Sequence, residues 1–397
     1  MSPGALDGIR VLDLGTRIGA PFTATLLGEL GADVIKIERP GTGDFLRTIP
    51  PFDGDVSLFW AVENRGKRSV TIDLSKPGGQ DLLRKLVPHV DVLLENFQPG
   101  TLERWNLAPA ALQELNPKLI VSRVSVYGQD GPYRDRPGLD RNGIALGGLL
   151  HITGHPDQPP VRPGVIIADY LTALFNTIGV LAALVERGRS DRGQQVEVAL
   201  YESVLRIMEW TVAAYDRLGV VRERAGNRLP NSAPLDNYET SDGRYVCIVA
   251  AGDVLFPRLC EAMGKPGLVK DERFTSLAAR AANADAINAE VADWCRTKTA
   301  GEIEQILIAH QVPVSGVYSI DQIVADPHVI ARGSIVDVDD PVLGTVRQQG
   351  PVPHLDRTPL TTGPGAPMLG EHTDDVLREL LDLTDEELGA LRRDGVI

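Results

Sequence analysis

Asp169 is the side chain in this sequence whose position is most suggestive of chemistry. It follows the apolar run Val165-Ile166-Ile167-Ala168 and precedes a long apolar segment with helical periodicity. This position is typical of a helix N-cap, which stabilises a helix by about 0.5–2 kcal/mol. A carboxylate at a helix start is also expected to stay ionised and to present one oxygen to a ligand. The pattern alone favours the N-cap role, and the two roles are compatible.

Two arginines lie where an open α/β sheet binds ligands. Arg39 follows a predicted strand, and Arg104 lies in a similar place after the segment Glu95-Asn96-Phe97-Gln98-Pro99-Gly100. Ligands bind at the carboxyl ends of such strands, and a guanidinium can hold a phosphate with two hydrogen bonds. Taken alone, each pattern favours a solvated surface residue, with phosphate binding as the alternative.

The first strand–helix–strand pattern also suggests a dinucleotide site. Glu38 ends the second predicted strand, where a ribose-binding acid would lie. The turn is Gly15-Thr16-Arg17-Ile18-Gly19-Ala20-Pro21, which lacks the GxGxxG spacing and the middle glycine that lets a pyrophosphate approach. An ordinary βαβ start is therefore favoured over NAD binding.

Histidine and cysteine spacing predicts no metal site. The seven histidines include no HExxH pattern, and His151 and His155 lie in a glycine-rich stretch without a third ligand. Cys247, Cys260 and Cys295 form no CxxC pair, which is typical of a reducing compartment. The N-terminal residues lack a signal-peptide pattern, so we expect a cytoplasmic protein.

Length and charge narrow the class of protein. A chain of 397 residues predicts two or three folding units. The net charge of −14 disfavours nucleic acid as a partner, because that binding needs clustered basic residues. The most apolar stretch, residues 170–185, is interrupted by Asn176 and is short for a membrane span, so we expect a buried helix and no membrane partner.

The elements that would position these residues alternate along the first half. Strands are predicted at residues 9–14, 33–38, 69–73, 90–94, 119–126 and 195–199, and helices at 22–30, 77–86, 168–186 and 202–218. Ser75 is expected to cap the helix that begins at Pro77, a residue suited to the first turn. The alternation predicts a doubly wound parallel α/β sheet.

The second half predicts a smaller α+β unit. A polar, proline-containing linker covers residues 222–234, and a hairpin follows at 238–249 around Ser241-Asp242-Gly243. Helices are predicted at 255–263, 288–297 and 300–310. The tail from residue 373 ends in two helices, the second introduced by the capping box from Thr384 to Glu387.

An ordered set of motifs spans almost the whole chain. The sequence resembles the family III CoA-transferases, a group that includes formyl-CoA transferase and carnitine CoA-transferase, with α-methylacyl-CoA racemase as a sister branch. The motifs that carry the resemblance are Val11-Leu12-Asp13-Leu14, LGADVIKIE at 30–38, NRGKRS at 64–69, Glu95-Asn96-Phe97, YGQDGPY at 127–133, Ile167-Ala168-Asp169, Gly193-Gln194-Gln195-Val196, ADPH at 325–328, Ala331-Arg332-Gly333 and LGEHT at 369–373.

The resemblance implies a particular domain arrangement. A large Rossmann-like, doubly wound domain is built from both chain ends, and a smaller α+β domain lies in the middle. The implied bounds are 1–221 for the first part of the large domain, 222–235 for a linker, 236–325 for the small domain, and 326–397 for a linker and the C-terminal return. Two protomers are expected to interlock as a homodimer.

The resemblance also implies the site residues. Asp169 corresponds to the catalytic aspartate, and coenzyme A is a substrate rather than a permanently bound cofactor. Arg39 and Arg104 would meet the phosphates of CoA, and Gly143, Gly147 and Gly148 are possible neighbours of a developing oxyanion. The implied CoA-contacting residues are Ile18, Gly19, Arg39, Ile72, Asp73, Leu74, Ser75, Asn96, Phe97, Gln98, Arg104 and the turn at 137–140, which ends in Asp140.

The implied reaction moves CoA from an acyl-CoA donor to a carboxylic acid acceptor through an aspartyl anhydride and an aspartyl-CoA thioester. Water must be excluded, because the anhydride is labile. Three departures bear on the substrate. Leu139 stands where the racemases carry a proton-transferring histidine; the region of the formyl-CoA transferase lid has one glycine, Gly252; and a tryptophan of those enzymes is replaced near Ile49. A racemase, a non-catalytic CoA-binding protein and an NAD-dependent dehydrogenase remain the alternatives.

Overall fold

The computed structural model describes residues 4–397 and divides into two compact units. The first unit contains the chain up to Leu150, Pro163–Val220 and Ile330–Ile397, and the second contains His151–Arg162 and Val221–Val329. Residues 151–162 thus belong to the second unit, whereas the sequence-based bounds assigned them to the large domain.

A six-stranded parallel sheet forms the centre of the first unit. Its strands are β1 Arg10–Asp13, β2 Asp33–Glu38, β3 Lys67–Thr71, β4 Val92–Glu95, β5 Ile120–Ser125 and β6 Gln195–Ala199. Their spatial order is β3-β2-β1-β4-β5-β6, and every neighbouring pair is parallel. The prediction of a parallel α/β sheet is confirmed. The strand order reverses between β1 and β4, which is the point where ligands of such sheets bind.

Alternating side chains bury both faces of this sheet. Leu12 and Ile35 belong to one core cluster, whereas their neighbours Val11 and Val34 belong to another on the opposite face. Successive residues of a strand point to opposite faces, so both faces are covered by packed elements.

The helices of the first unit, together with two short antiparallel pairs, surround the sheet. The pairs are Phe52–Asp53 with Val56–Ser57 and Ile335–Asp340 with Gly344–Gln349. The α-helices are Gly19–Glu29, Leu58–Glu63, Pro77–Leu86, Thr101–Arg104, Pro109–Leu115, Asp140–Leu146, Ile167–Ser190, Leu200–Arg206, Thr211–Leu218, Thr373–Leu381 and Asp385–Arg393, with 3-10 turns at Phe45–Thr48 and Val87–His89. Two short helices, Leu149–Ile152 and Pro327–Ala331, fall where the chain passes from one unit to the other.

The long helix Ile167–Ser190 differs from the prediction of a helix buried on most sides. Its buried face includes Asn176 and Val180, but Ile178 and Val185 are 61% and 62% exposed. By length and composition it would be able to cross a membrane. In this chain it connects β5 with β6 and packs against the helix Gly19–Glu29, so it is part of the core of the first unit.

Local details depart from the prediction in two further places. The single helix predicted at 202–218 is two helices, interrupted near Glu209, whose φ of 52° is left-handed. Ser75 does not cap the helix Pro77–Leu86: Lys76 occupies the N-cap position, and the Ser75 hydroxyl donates to the Asp73 carboxylate instead. Pro77 does begin that helix, as predicted.

The C-terminal tail returns to the sheet of the first unit. Val376 and Leu377 belong to the same core cluster as Val70 of β3. The Thr71 N–H donates to the Thr373 hydroxyl at 3.0 Å. The last helix begins with the predicted capping box, in which Thr384 and Glu387 exchange hydrogen bonds.

The second unit is a small three-stranded sheet with helices. The predicted hairpin is present as Leu235–Glu239 and Tyr245–Val249, and Val314–Gly316 pairs antiparallel with its second strand. Its helices are Leu255–Ala262, Leu277–Ala282, Ala284–Cys295, Ala300–Ala309 and Ile320–Ile323, with a 3-10 turn at Pro266–Lys270. Tyr238, Ile248, Leu259, Trp294 and Leu307 are among the side chains that form its core.

Candidate active site

A crevice opens where the strand order reverses, between the carboxyl ends of β1 and β4. The side-chain amide of Asn96, just after β4, forms two hydrogen bonds with the main chain of Thr16. Its Oδ1 accepts from the Thr16 N–H at 2.8 Å, and its Nδ2 donates to the Thr16 carbonyl at 2.7 Å. This pairing fixes the turn after β1 against the loop after β4. Both loops therefore present their side chains to the same space.

Asp169 lies at the third position of the long helix, not at its N-cap. The N-cap residue is Ile166, whose side chain cannot accept a hydrogen bond. The Asp140 carboxylate caps this helix from another element, accepting from the Ala168 N–H at 2.8 Å and the Asp169 N–H at 3.4 Å. The N-cap prediction for Asp169 is therefore wrong, and its carboxylate is not used for capping.

The surroundings of Asp169 raise its pKa to about 7. Burial is the largest cause, and the nearby charge of Asp140 adds to it, while the charge of Arg17 and a hydrogen bond from the Gly19 N–H oppose it. The expectation that a helix start would keep this group ionised is wrong, because desolvation and the Asp140 charge outweigh the Arg17 charge and the Gly19 hydrogen bond. Asp169 can gain or lose its proton near neutral pH.

A cavity of about 290 Å³ contains Asp169 and several other predicted residues. Asn96, Phe97, Gln98 and Asp140 line it, as do Pro137, Gly138 and Leu139 of the predicted turn. Three cationic side chains that sequence reasoning missed also line it: Arg17, Arg134 and Arg136. The sequence signal for Arg17 is its place in the turn after β1, at the edge of the sheet where ligands bind.

A second cavity, of about 220 Å³, collects most of the remaining predicted residues. Arg39, Ile72, Asp73, Leu74, Ser75 and Phe97 line it. It shares Thr16 and Phe97 with the first cavity, so the two spaces adjoin at the carboxyl edge of the sheet. Burial disfavours the charge on Asp73, but hydrogen bonds from Ser75 and the nearby charge of Arg39 outweigh it and lower the Asp73 pKa.

Other predicted residues do not present side chains to either cavity. Ile18 is buried against Leu46 and Trp60, so only its main chain could meet a ligand. Gly19 contributes its N–H to Asp169. Arg104 is exposed and donates to the Thr101 hydroxyl at 2.8 Å, and it lines neither cavity.

The three glycines considered as oxyanion neighbours serve packing. A Cβ on Gly147 would lie 2.5 Å from the Val204 side chain, and one on Gly143 would lie 2.9 Å from Leu200. Gly148 faces Met208. Gly143 and Gly147 let the chain approach the helix Leu200–Arg206 closely, and none of the three glycines lines the cavity that contains Asp169.

Glu38 is not available for a ribose. It is 3% exposed, and its carboxylate accepts from Arg47 at 2.8 Å, the Ser69 hydroxyl at 2.6 Å and the Asp44 N–H at 2.9 Å. The acidic residue that suggested an NAD site is therefore a structural hydrogen-bond acceptor.

A buried group of four charged residues supports the turn after β1. Lys36 lies 3.0 Å from Asp44 and 3.5 Å from Asp13, and Lys67 lies 2.9 Å from Asp13; all four side chains are at most 1% exposed. Burial disfavours the Lys36 ammonium, but the carboxylates outweigh it and raise the Lys36 pKa. For Lys67, burial wins and lowers the pKa.

This buried ionic group holds the turn through its main chain. Lys36 donates to the Gly15 carbonyl, Asp13 accepts from the Gly15 N–H at 2.9 Å, and Asp44 accepts from the Arg17 N–H at 3.1 Å. The turn that carries Arg17 and Gly19 is thereby fixed on its inner side.

Comparisons with known proteins identify the family. The model of "CoA-transferase family III" matches residues 6–373. The chain belongs to CoA-transferase family III. It is therefore an enzyme that transfers CoA, and CoA-transferases use CoA thioesters as substrates.

Relatives and a solved structure of this CoA-transferase family match nearly the full chain. The succinyl-CoA–D-citramalate CoA-transferase of Chloroflexus aurantiacus is 44% identical, over 100% of this chain and 98% of the relative. The succinyl-CoA:mesaconate CoA-transferase of Haloarcula hispanica is 37% identical, over 95% of this chain and 96% of the relative. The crystal structure of a CaiB/BaiF family protein from Brucella suis matches with a TM-score of 0.86 and 33% identity, covering 96% of this chain and 100% of that one.

Proposed function

We propose that this CoA-transferase carries the acyl group on Asp169 while CoA departs and returns. The observation that carries the proposal is the position of Asp169: a partly buried carboxylate, not engaged in helix capping, in a cavity at the carboxyl edge of the sheet of a CoA-transferring enzyme. The Gly19 N–H bonded to it supports the ionised form during attack.

The proposed reaction balances without any external oxidant or reductant. The Asp169 carboxylate attacks the thioester carbonyl, the C–S bond breaks, and an acyl-aspartyl anhydride and a CoA thiolate result. The thiolate then attacks the aspartyl carbonyl, releasing the first acid and leaving an aspartyl-CoA thioester. The second acid attacks that thioester and forms a new anhydride, and the returning thiolate yields the new acyl-CoA and free Asp169.

Water exclusion is the main requirement of this sequence, because both enzyme intermediates hydrolyse readily. The burial that raises the Asp169 pKa to about 7 supports such a dry site. The same burial makes the ionised carboxylate a stronger nucleophile than a solvated one, since it lacks part of its hydration shell.

We propose succinyl-CoA as donor and a four- or five-carbon dicarboxylic acid as acceptor. This proposal is supported by the relatives, which are named as CoA-transferases between succinyl-CoA and D-citramalate, L-malate or mesaconate. For the CoA moiety we propose the two adjoining cavities, with Arg39 and Arg104 near its phosphates. Arg104 would need to turn away from the Thr101 hydroxyl to reach them.

A racemase is not favoured. Leu139 lines the cavity beside Asp140, at the position where a proton-transferring histidine would be needed, and no histidine is among the side chains that line this cavity. Retention of the α-hydrogen in deuterated water would exclude the alternative, and exchange without CoA transfer would establish it.

We also propose a cytoplasmic, interlocked homodimer. The helix Thr211–Leu218 has no buried residue, and Val212, Tyr215 and Leu218 on it are exposed, as expected for a face covered by a second copy. Light scattering coupled to size-exclusion chromatography is expected to give twice the mass of 42.9 kDa. A monomer at micromolar concentration would contradict this.

The mechanism is tested by trapping the acylated enzyme. Incubation with succinyl-CoA, then hydroxylamine, is expected to modify one peptide, the one that contains Asp169. Asp169→Ala is expected to abolish both trapping and turnover while leaving CoA binding within about threefold. Modification of a different peptide, or turnover by the Ala variant, would refute the assignment of the nucleophile.

A further inference from the structure

Arg17 is a cationic side chain beside Asp169. Its side chain is exposed and lines the same cavity as Asp169, and its charge lowers the Asp169 pKa, so the two groups lie within electrostatic range. Within residues 4–397 it forms no ion pair. By contrast, Arg134 in the same cavity lies 3.4 Å from Asp135.

The position of Arg17 is built into the turn. Its φ of 65° is left-handed, which is uncommon for a residue with a side chain, and its N–H donates to Asp44 of the buried ionic group. The guanidinium lies 4.0 Å above the Phe45 ring, and Phe45 directly follows Asp44. One buried carboxylate thus fixes both the arginine backbone and the base of the aromatic platform.

We propose that Arg17 binds the distal carboxylate of dicarboxylic acyl groups and so selects them over monocarboxylic ones. This inference rests on the proposed function, because it assigns the acyl end of the substrate to the cavity that contains Asp169. Arg17 forms no covalent bond and takes or gives no proton in the transfer.

The chemistry of the substrate explains why a cation is needed there. A dicarboxylic acyl thioester has an ionised carboxylate a few bonds from the carbonyl that Asp169 must attack. Two carboxylates at close range repel each other, and a cation near both reduces that cost. A guanidinium also holds a carboxylate with two hydrogen bonds, which fixes the direction of the acyl chain. A monocarboxylic chain has no group for this bond.

Arg136 is another cation of this cavity that forms no ion pair among the described residues. It lies 3.4 Å from the Tyr133 ring and immediately precedes the turn at 137–140. Its charge is not among the influences on the Asp169 pKa. Its position suits the CoA side of the cavity, so Arg17 is the residue assigned to the acyl side.

The test compares succinyl-CoA with butyryl-CoA, which has the same number of acyl carbons but a neutral end. Binding is measured by calorimetry in the Asp169→Ala protein, with and without Arg17→Met. The added Arg17→Met change is expected to weaken succinyl-CoA binding at least about 10-fold and butyryl-CoA binding less than about threefold. Equal weakening of the binding of both ligands would overturn the proposal, since Arg17 would then act on the CoA moiety. Unchanged binding of both would also overturn it, since Arg17 would then contact neither ligand.

Exchange of labelled CoA into each acyl-CoA measures the first half-reaction without an acceptor. Both donors are compared at the same pH, so that a change in the ionisation of Asp169 affects them equally. Arg17→Met is expected to reduce kcat/KM for succinyl-CoA selectively, and Arg17→Lys is expected to restore part of it. Arg192→Met is the matched control. This exposed arginine lies shortly before β6, and its replacement is expected to leave kcat/KM unchanged for both donors.

The two proposals fail in different ways. Absence of exchange with every donor in the unsubstituted enzyme would contradict the proposed function. The effect of Arg17→Met on the two calorimetric affinities would still decide the role of Arg17. If exchange is normal and Arg17→Met leaves the ratio of the succinyl-CoA affinity to the butyryl-CoA affinity unchanged, only the role of Arg17 is contradicted.

Discussion

Asp140 and Ala168 are joined by a hydrogen bond of 2.8 Å, in which the Ala168 N–H donates to the Asp140 carboxylate. Through this bond, one acidic side chain caps the helix that carries the proposed nucleophile. The same side chain places a negative charge near Asp169 and contributes to its raised pKa. Capping and pKa control are thus combined in one carboxylate.

Asp140→Asn should separate these two roles. The amide oxygen can still accept the bond from Ala168, but the negative charge is lost, so the pKa of Asp169 falls below about 7. The acidic limb of the kcat/KM profile against pH is expected to move to lower pH by a measurable fraction of a unit. Asp140→Ala, which also removes the cap, is expected to cost about 1 kcal/mol of unfolding free energy in urea. An unchanged profile for the Asn variant would show that Asp140 does not control Asp169.

The raised pKa of Asp169 predicts a pH-dependent cost in stability. The folded protein holds the Asp169 proton more tightly than the unfolded chain, whose pKa is near 3.8. The enzyme therefore loses stability relative to Asp169→Asn as the pH rises from about 4 to about 7, by at most about 4 kcal/mol. Urea unfolding of both proteins at pH 5 and pH 8 measures the difference. If the difference in unfolding free energy between the two proteins were the same at both pH values, the raised pKa of Asp169 would be contradicted.

Breaking the buried ionic group should be costly. Lys36→Met leaves Asp44 buried without its cation, and removal of one partner of such a pair costs about 3–5 kcal/mol. The double variant Lys36→Met/Asp44→Leu leaves no buried charge from this pair unpaired, so its loss is expected to be smaller than the sum of the two single losses. Chemical unfolding of Lys36→Met, Asp44→Leu and the double variant tests this coupling. It would be refuted if the two single losses of unfolding free energy added up to the loss in the double variant.

Arg280 should have a similar structural role in the second unit. It is 2% exposed, and its guanidinium donates to the carbonyls of Phe274 at 2.9 Å and Ala251 at 2.7 Å and to Asp253 at 2.6 Å. Arg280→Met leaves two carbonyls without this donor and is expected to destabilise the unit by about 2–5 kcal/mol.

Exposed Arg296 is the matched control for this change. It pairs with Asp293 in an i,i+3 contact, so Arg296→Met is expected to change the unfolding free energy by less than about 0.5 kcal/mol. Thermal unfolding of both variants makes the comparison. Similar losses in the two proteins would show that the Arg280 bonds contribute little.

Elements with strong local signals were predictable from the sequence. The strand Asp33–Glu38 and the helix Pro77–Leu86 have the predicted bounds, and the capping box at Thr384 starts the last helix. Alternating strands and helices also implied parallel pairing, which follows from the need for a crossover between parallel strands. These features depend on residues close together in the chain.

The sequence by itself therefore determined the α/β class, the family and many residues of the crevice, including Asp169 and Asn96. It did not identify the cations Arg17, Arg134 and Arg136 that also line it. The tertiary structure decided how the residues of the crevice act. Thr16 and Asn96 are 80 residues apart in the sequence, and Asp140 is 28 residues from Ala168, from whose N–H it accepts a hydrogen bond in capping the long helix. No local sequence pattern could reveal either contact. The pKa of Asp169 near 7 also arises only on folding, because desolvation and the charges of Asp140 and Arg17 depend on which distant segments pack around one carboxylate.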